Sequence, residues 1–366
     1  MKILQIIYES RYSPFGFGGA GIRAYEICRR LKDRHDITLL CMKYPGAVDG
    51  EIMGLRHIFV GTESSSLYRS VIAFTIGAAS YLRRAGGQYD IIVENFLPAT
   101  PFLARFQTRT PVILQIQGIM GRHALKKFGL FPGVPMYLVE KIYPRLYSDY
   151  IFVTDEGMEN LTERAARCYV IPNGVNPPEA FAEPPAGDYI LFMSRIDIYT
   201  KGLDLLVEAF ADIAGRYPGL RLILAGFEFD KVETLTAGIP EPVRRRIEYR
   251  GFLEGVEKWA LLRGAQVFVL PSRHEAHPVS LLEALAAGTA VLVSDIPQMK
   301  YVEDLDLGLT FGRGSSLKLR KKLCHLLDSE SLRREFGRKG RKYAAGFTWD
   351  RIASRFEDAL CEVAGG

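Results

Sequence analysis

Glu275 and Glu283 stand eight positions apart in the run Pro271-Ser272-Arg273-His274-Glu275-Ala276-His277-Pro278-Val279-Ser280-Leu281-Leu282-Glu283-Ala284-Leu285-Ala286-Ala287-Gly288. An apolar strand, 266–270, precedes them, and a helix ending at Gly288 carries the second. Pro278 suits the first helical position, where its missing N–H costs nothing. The unpaired amides of the first turn, around Val279 and Ser280, would then face the crevice at the carboxyl end of the strand. A phosphate or sugar oxygen is welcome at such a place. Glu283 falls about one and a half turns deeper, at 3.6 residues per turn. A polar ligand could thus meet Glu275, a row of amides and Glu283 together. The plain alternative is a sheet edge followed by an amphipathic helix whose glutamate is solvated surface.

Cations stand at a second junction of the same kind. Ser194-Arg195 and Lys201-Gly202 lie between an expected strand, 190–193, and an expected helix, 203–214. Arg can bind two oxygens of a diphosphate at once, and Lys acts as a point charge. Near the N-terminus, Gly16-x-Gly18-x-x-Gly21 matches the dinucleotide fingerprint letter for letter. Its context does not: Ser10 to Phe15 separate it from the strand, and the second strand ends Cys41-Met42-Lys43 with no carboxylate for a ribose. The better reading is a flexible loop, Gly18-Gly19-Ala20, whose bare amides approach a diphosphate. Six histidines show no metal-ligand spacing, and no cluster of metal-ligating carboxylates is evident.

These loops need strands and helices to hold them. The first half reads as strands at 3–8, 37–42, 58–60, 91–94, 112–116, 151–154 and 168–171, with a helix over about 22–32 and others between. Strands alternating with helices imply a doubly wound parallel sheet. A Pro-rich stretch then breaks the pattern. It restarts with strands at 189–193, 220–225, 246–250, 266–270 and 290–293 and closes with helices at 317–327, 332–343 and 349–360. The division is therefore a first domain at 1–178, a linker at 179–187 and a second domain at 188–346, with a last helix over about 348–366.

The chain is ordinary for a globular protein, 48% hydrophobic and 24% charged. Five cysteines without a CxxC pair, and no charged-then-apolar leader before the first strand, point to a cytoplasmic protein. The net charge of +5 sits in the first half, where 21 Lys and Arg face 16 Asp and Glu over residues 1–180. Residues 120–147 hold Arg122, Lys126, Lys127, Lys141 and Arg145 against Glu140 alone, interleaved with bulky apolar side chains. No basic stripe recurs along the chain, so nucleic acid is not the expected partner. An anionic membrane surface at its inner, cytoplasmic face fits better. A core-packed helix with a solvated basic face is the alternative.

Taken together, the chain resembles glycosyltransferase family 4, the retaining nucleotide-sugar enzymes of GT-B fold. Five stretches carry the likeness: Gly18-Gly19 before a helix; Val170-Ile171-Pro172-Asn173-Gly174-Val175; Ser194-Arg195 through Lys201-Gly202-Leu203; Tyr249-Arg250-Gly251-Phe252-Leu253 with the segment to Pro271-Ser272; and Glu275 through Glu283, an E-x7-E motif. Phe347-Thr348-Trp349-Asp350 and its helix look like the family's C-terminal crossover. The resemblance implies two Rossmann-like α/β domains facing across a cleft, with the last helix returning to the first. It also implies transfer of a hexosyl group from a nucleotide-diphosphate sugar to a glycan or lipid-linked glycan, without a metal or other cofactor.

By the same resemblance, Arg195 and Lys201 hold the diphosphate, Glu283 the ribose and Glu275 the transferred sugar. Pro278, Val279 and Ser280 lie close by, Gly18 and Gly19 close on the phosphates, and Gly251 and Phe252 lie near the base. Gln117, His277 and Asn173 fall on the sugar or acceptor side. Two departures stand out. Gln117 replaces the His that many members carry, and it cannot take a proton near neutral pH. Ala276-His277-Pro278 replaces Gly-Phe-Gly, removing flexibility and adding an imidazole. A nucleotide-sugar epimerase of the same fold and a non-catalytic sugar-nucleotide-binding protein are the alternative readings.

Overall fold

The computed structural model describes residues 1–155, 158–162, 165–178, 187–227 and 230–365. The chain forms two compact units, Met1–Asn173 with Trp349–Gly366, and Gly174–Thr348. The linker expected at 179–187 lies outside the described residues except for Gly187.

The first unit is built on an eight-stranded sheet of β1 (Lys2–Ile7), β2 (Asp36–Met42), β3 (Gly50–Ile52), β4 (Leu55–Val60), β5 (Ile91–Phe96), β6 (Val112–Ile116), β7 (Asp149–Phe152) and β8 (Arg167–Val170). Their spatial order is β3-β4-β2-β1-β5-β6-β7-β8, and every pair is parallel except β3 with β4. β5 and β6 are buried along their whole length, as strands covered on both faces must be. The sequence reading missed β3. Met53 and Gly54 join it to β4 with φ of 54° and 74°, the positive pair that a two-residue hairpin turn demands. Methionine in that place gives no turn signature.

The helix Trp349–Gly365 belongs to this unit, as the sequence implied. Its buried residues, Trp349, Ile352, Ala353, Phe356, Ala359, Leu360 and Val363, recur at helical spacing on one face. Its polar side is tied to the unit by Arg30 to Asp350 at 2.6 Å, His35 to Glu357 at 2.6 Å, and Arg355 donating to the Val170 carbonyl at 2.6 Å.

A fully buried carboxylate sits inside this unit. Glu94 of β5 accepts from the hydroxyls of Tyr143 and Tyr147 and, at 3.3 Å, from the Ala104 amide. Desolvation outweighs these hydrogen bonds and raises its pKa from 4.5 to about 7. The folded value exceeds the unfolded one, so its contribution to stability is complete below about 4.5 and is lost as pH rises through 7. Wild-type protein should therefore lose about 2–3 kcal/mol more stability than Glu94→Gln between pH 5 and 8.5. Urea unfolding followed by Trp349 fluorescence in a Trp259→Phe background measures this, and parallel pH profiles for the two would refute it.

The second unit has a six-stranded, all-parallel sheet: β9 (Tyr189–Met193), β10 (Arg221–Ala225), β11 (Ile247–Tyr249), β12 (Val267–Leu270), β13 (Val291–Asp295) and β14 (Gly308–Gly312). The order is β11-β10-β9-β12-β13-β14. β14, which begins and ends in glycine, was also missed from sequence. The first strand, β9, lies between the second and the fourth. The chain winds outward on one side of β9 and then on the other, which makes the gap between β9 and β12 the topological switch point. In open α/β sheets, ligands bind outside the carboxyl ends of the strands at that point.

Candidate active site

The loops that leave β9 and β12 carry the expected cations and the first expected acid. Arg195 lies two residues beyond β9. Its backbone course is set by Ser194, whose amide bonds the Ala225 carbonyl at 3.0 Å. Gly226 packs against this turn so closely that a Cβ there would lie 1.9 Å from the Ser194 oxygen. The Arg195 guanidinium stands 3.4 Å from Asp197, a buried carboxylate that also caps the short helix Ile198–Lys201 through the Thr200 amide at 3.0 Å.

Lys201 ends that helix. Its ammonium lies 2.6 Å from Glu275 Oε1, and both side chains are largely buried, at 12% and 7% exposure. Two hooks keep them together. Gly202 has φ of 67°, and a Cβ on it would lie 2.0 Å from the Pro271 carbonyl, so only glycine allows the two loops this approach. Beyond it, the Arg273 amide donates to the Thr200 carbonyl at 2.8 Å. The Arg273 guanidinium binds Asp204 through both nitrogens, at 2.7 and 2.6 Å, over the Tyr199 ring. Ser272 Oγ also donates to Glu275 Oε1, at 2.6 Å. Glu275 Oε2 accepts from no described residue. The carboxylate is thus held by one oxygen and presents the other.

The resemblance gives Lys201 to the diphosphate and Glu275 to the sugar as separate groups. The structure joins them in one ion pair. Glu283 differs again. It does not meet Arg195 or Lys201 but pairs with Lys258 at 2.6 Å, and the two side chains are 12% and 22% exposed. Lys258 escaped the sequence reading. It lies one turn into the helix Gly255–Gly264, just after the Gly251-Phe252 loop, and that adjacency was the available clue.

Pro278 is the N-cap of the helix Val279–Ala287, with φ −69° and ψ 116°, and not its first helical residue as expected. The reason is visible in the ladder: Leu281 and Leu282 both donate to the Pro278 carbonyl, at 3.2 and 3.3 Å, which the cap residue must supply. The amides of Val279 and Ser280 have no acceptor among the described residues, so the unpaired amides of the helix begin there. His277 packs its ring 6.3 Å from that of Phe347. Gly251, with φ of 67°, accepts from the Gly226 amide at 2.7 Å, and Phe252 beside it is 45% exposed.

In the first unit the glycine loop differs from expectation. The helix there starts at Gly19, but the Gly18 and Gly21 amides already donate to Glu9 Oε2, at 2.9 and 2.6 Å. Tyr8 holds the other oxygen at 2.7 Å. Of the three amides read as bare, that of Gly18 is capped by the chain's own carboxylate, which the positive end of the helix favours, whereas those of Gly19 and Ala20 have no acceptor among the described residues. A Cβ at Gly21 would lie 2.6 Å from Glu9 Oε2 and displace that carboxylate, whereas a side chain at Gly19 would meet nothing within 4 Å.

Gln117 donates to Asn95 Oδ1 at 3.1 Å, and Asn95 in turn donates to the Ile6 carbonyl at 2.9 Å. Asn173 is 4% exposed, and its Oδ1 accepts from Arg23 at 3.2 Å. Arg23 is fully buried and also binds Gln115 and the Pro172 carbonyl, at 3.1 and 2.8 Å. Burial, reinforced by the charge of Arg355, lowers its pKa to about 9.

Residues 17–179 match the model described as Glycosyltransferase Family 4, and residues 178–343 match Glycosyl transferases group 1. The phosphatidyl-myo-inositol mannosyltransferase of Mycobacterium leprae is 28% identical over 268 residues, 70% of this chain and 65% of that protein. Its Mycobacterium tuberculosis counterpart is 26% identical over 382 aligned positions, 96% of each chain. Among solved structures, Anabaena HepE in complex with UDP and glucose superposes with a TM-score of 0.77 at 17% identity, over 99% of this chain and 100% of that one.

Proposed function

Because the chain belongs to glycosyltransferase family 4 and has the two Rossmann-like units of the GT-B fold, we infer that it transfers a hexosyl group from a nucleotide-diphosphate sugar to a hydroxyl of a glycan or lipid-linked glycan. The transfer retains anomeric configuration and needs no metal ion. One observation carries this reading. At the switch point of the second sheet, Arg195, the Lys201–Glu275 pair and two open helix amides all stand in the loops beyond the carboxyl ends of two adjacent strands.

The bond from the anomeric carbon to the diphosphate breaks as the acceptor oxygen bonds to the same face. Negative charge builds on the departing phosphate, and fixed cations there lower the barrier. Arg195 and Lys201 supply that charge in place of a metal. Glu275 Oε2 accepts from a hydroxyl of the sugar, and Glu283, aligned by Lys258, accepts from the ribose. Gly251 and Phe252 border the base. The acceptor's proton passes to the leaving phosphate oxygen. The HepE complex and the mannosyltransferase relatives support a sugar nucleotide as donor and a lipid-linked acceptor. Thermal-shift screening with UDP, GDP, ADP and their sugars identifies the donor. NMR of the product anomer, with EDTA present, then tests both finer claims: an inverted anomer removes retention, and full loss of transfer in EDTA removes metal independence.

The acceptor reading is tied to the membrane. No helix among the described residues is long and apolar enough to cross one. All five cysteines are free thiols, consistent with a cytoplasmic site. In the segment 120–147, Glu140 turns inward and caps the Met120 and Gly121 amides at 2.8 and 2.7 Å. Leu130, Val134, Leu138 and Ile142, spaced four apart along the helix Leu130–Ile142, are all exposed, as is Phe131. An apolar stripe flanked by outward cations and stripped of its acid is the composition of a monotopic contact. Co-sedimentation with phosphatidylserine-containing vesicles should be strong at 20 mM salt and fall severalfold by about 0.5 M as charges are screened. Equal sedimentation with purely zwitterionic vesicles would remove the electrostatic part of the argument.

A further inference from the structure

Tyr301 follows β13 at the same carboxyl edge of the sheet as Glu275. Its ring stacks on Tyr343, with centroids 5.5 Å apart and planes at 21°. Tyr343 contacts Phe347 at 4.9 Å, and Phe347 contacts His277 at 6.3 Å, so a ladder of rings runs from Tyr301 back to the Glu275 loop. The Tyr301 hydroxyl is buried and bonds no described group. Buried tyrosine hydroxyls ordinarily find partners, and an unmet one is a standing cost to the fold. Burial and the nearby charges of Tyr343 and Glu275 push its pKa upward, so it remains a protonated donor.

An unused donor and an unused acceptor, Glu275 Oε2, therefore occur at one end of one sheet. A group that both accepts and donates satisfies the two together, and a sugar hydroxyl is such a group. The geometry points to Tyr301 as a second sugar-recognising residue, its hydroxyl donating to the same portion of the transferred hexose that Glu275 holds. This rests on the glycosyl-donor reading above and adds to it a specificity-determining contact. A hexose lacking the matching hydroxyl, or carrying it with the other configuration, leaves the donor unmet and is rejected.

Tyr301→Phe separates a role in recognition from a role in packing. Removing an unmet buried hydroxyl leaves the ring in place and should raise the melting temperature of the free protein. The affinity for a nucleoside diphosphate, measured by calorimetry with UDP and with GDP, should stay at the wild-type value. The extra affinity conferred by the sugar, read as UDP-glucose over UDP and GDP-mannose over GDP, should fall about fivefold to tenfold. A variant that keeps the full sugar increment overturns the inference, as does one whose nucleotide affinity falls equally with and without the sugar. If wild-type protein itself shows no increment for either sugar, the donor reading fails and the inference fails with it.

Discussion

Lys201→Met should lower kcat/KM for glycosyl transfer by about 10²–10³-fold in folded protein. Two effects add. The departing diphosphate loses a fixed cation, and Glu275 is left largely buried without its counter-ion. The second effect also lowers stability, so rate and melting must be measured together. Adding Glu275→Gln to Lys201→Met removes the stranded charge. The double variant should regain most of the lost melting temperature and none of the lost turnover. Initial rates with the donor identified by thermal shift, beside circular dichroism, give the result. Near-normal turnover in the folded single variant contradicts the assignment of Lys201 to the phosphates.

Gly202→Ala should be as damaging by a different route. The added Cβ is directed at the Pro271 carbonyl 2.0 Å away, and backbone rather than a pliable side chain stands in its path. The positive φ adds strain for any L side chain. The loops from β9 and β12 must part, and the Lys201–Glu275 contact parts with them. A loss of about 3 kcal/mol, or roughly 6–12 °C in the transition of this unit, is expected. Trp259 reports that transition. Turnover should fall at temperatures well below it, because the site is displaced before the unit melts. Unchanged turnover at 20 °C would show that the loops can separate without harm.

The sequence carried the sheets because long buried strands announce themselves. Residues such as Tyr189-Ile190-Leu191-Phe192-Met193 and Val267-Phe268-Val269-Leu270 have no competing reading as loops. Strands with weaker chemistry were lost: β3 turns on Met53, and β14 is bounded by glycines. At the site, what could be read was which residues stand at strand ends, since that follows from topology and local order. What could not be read was pairing across distance. Glu283 with Lys258, Glu9 with the glycine loop and Asn173 with Arg23 join positions 25, 9 to 12 and 150 apart. In each case one partner was noticed and assigned to a ligand, while its partner on the same chain carried no local signal.

The helix Trp349–Gly365 closes a core whose other walls are made some 180 residues earlier. During synthesis, the unit Gly174–Thr348 has all its strands before Trp349 is added, whereas the first sheet must wait for Phe356 and Leu360 to emerge behind it. The order of maturation is therefore the reverse of the order of translation: the Gly174–Thr348 unit can set first, and the N-terminal unit remains an unsealed intermediate that chaperones can hold until the last helix arrives.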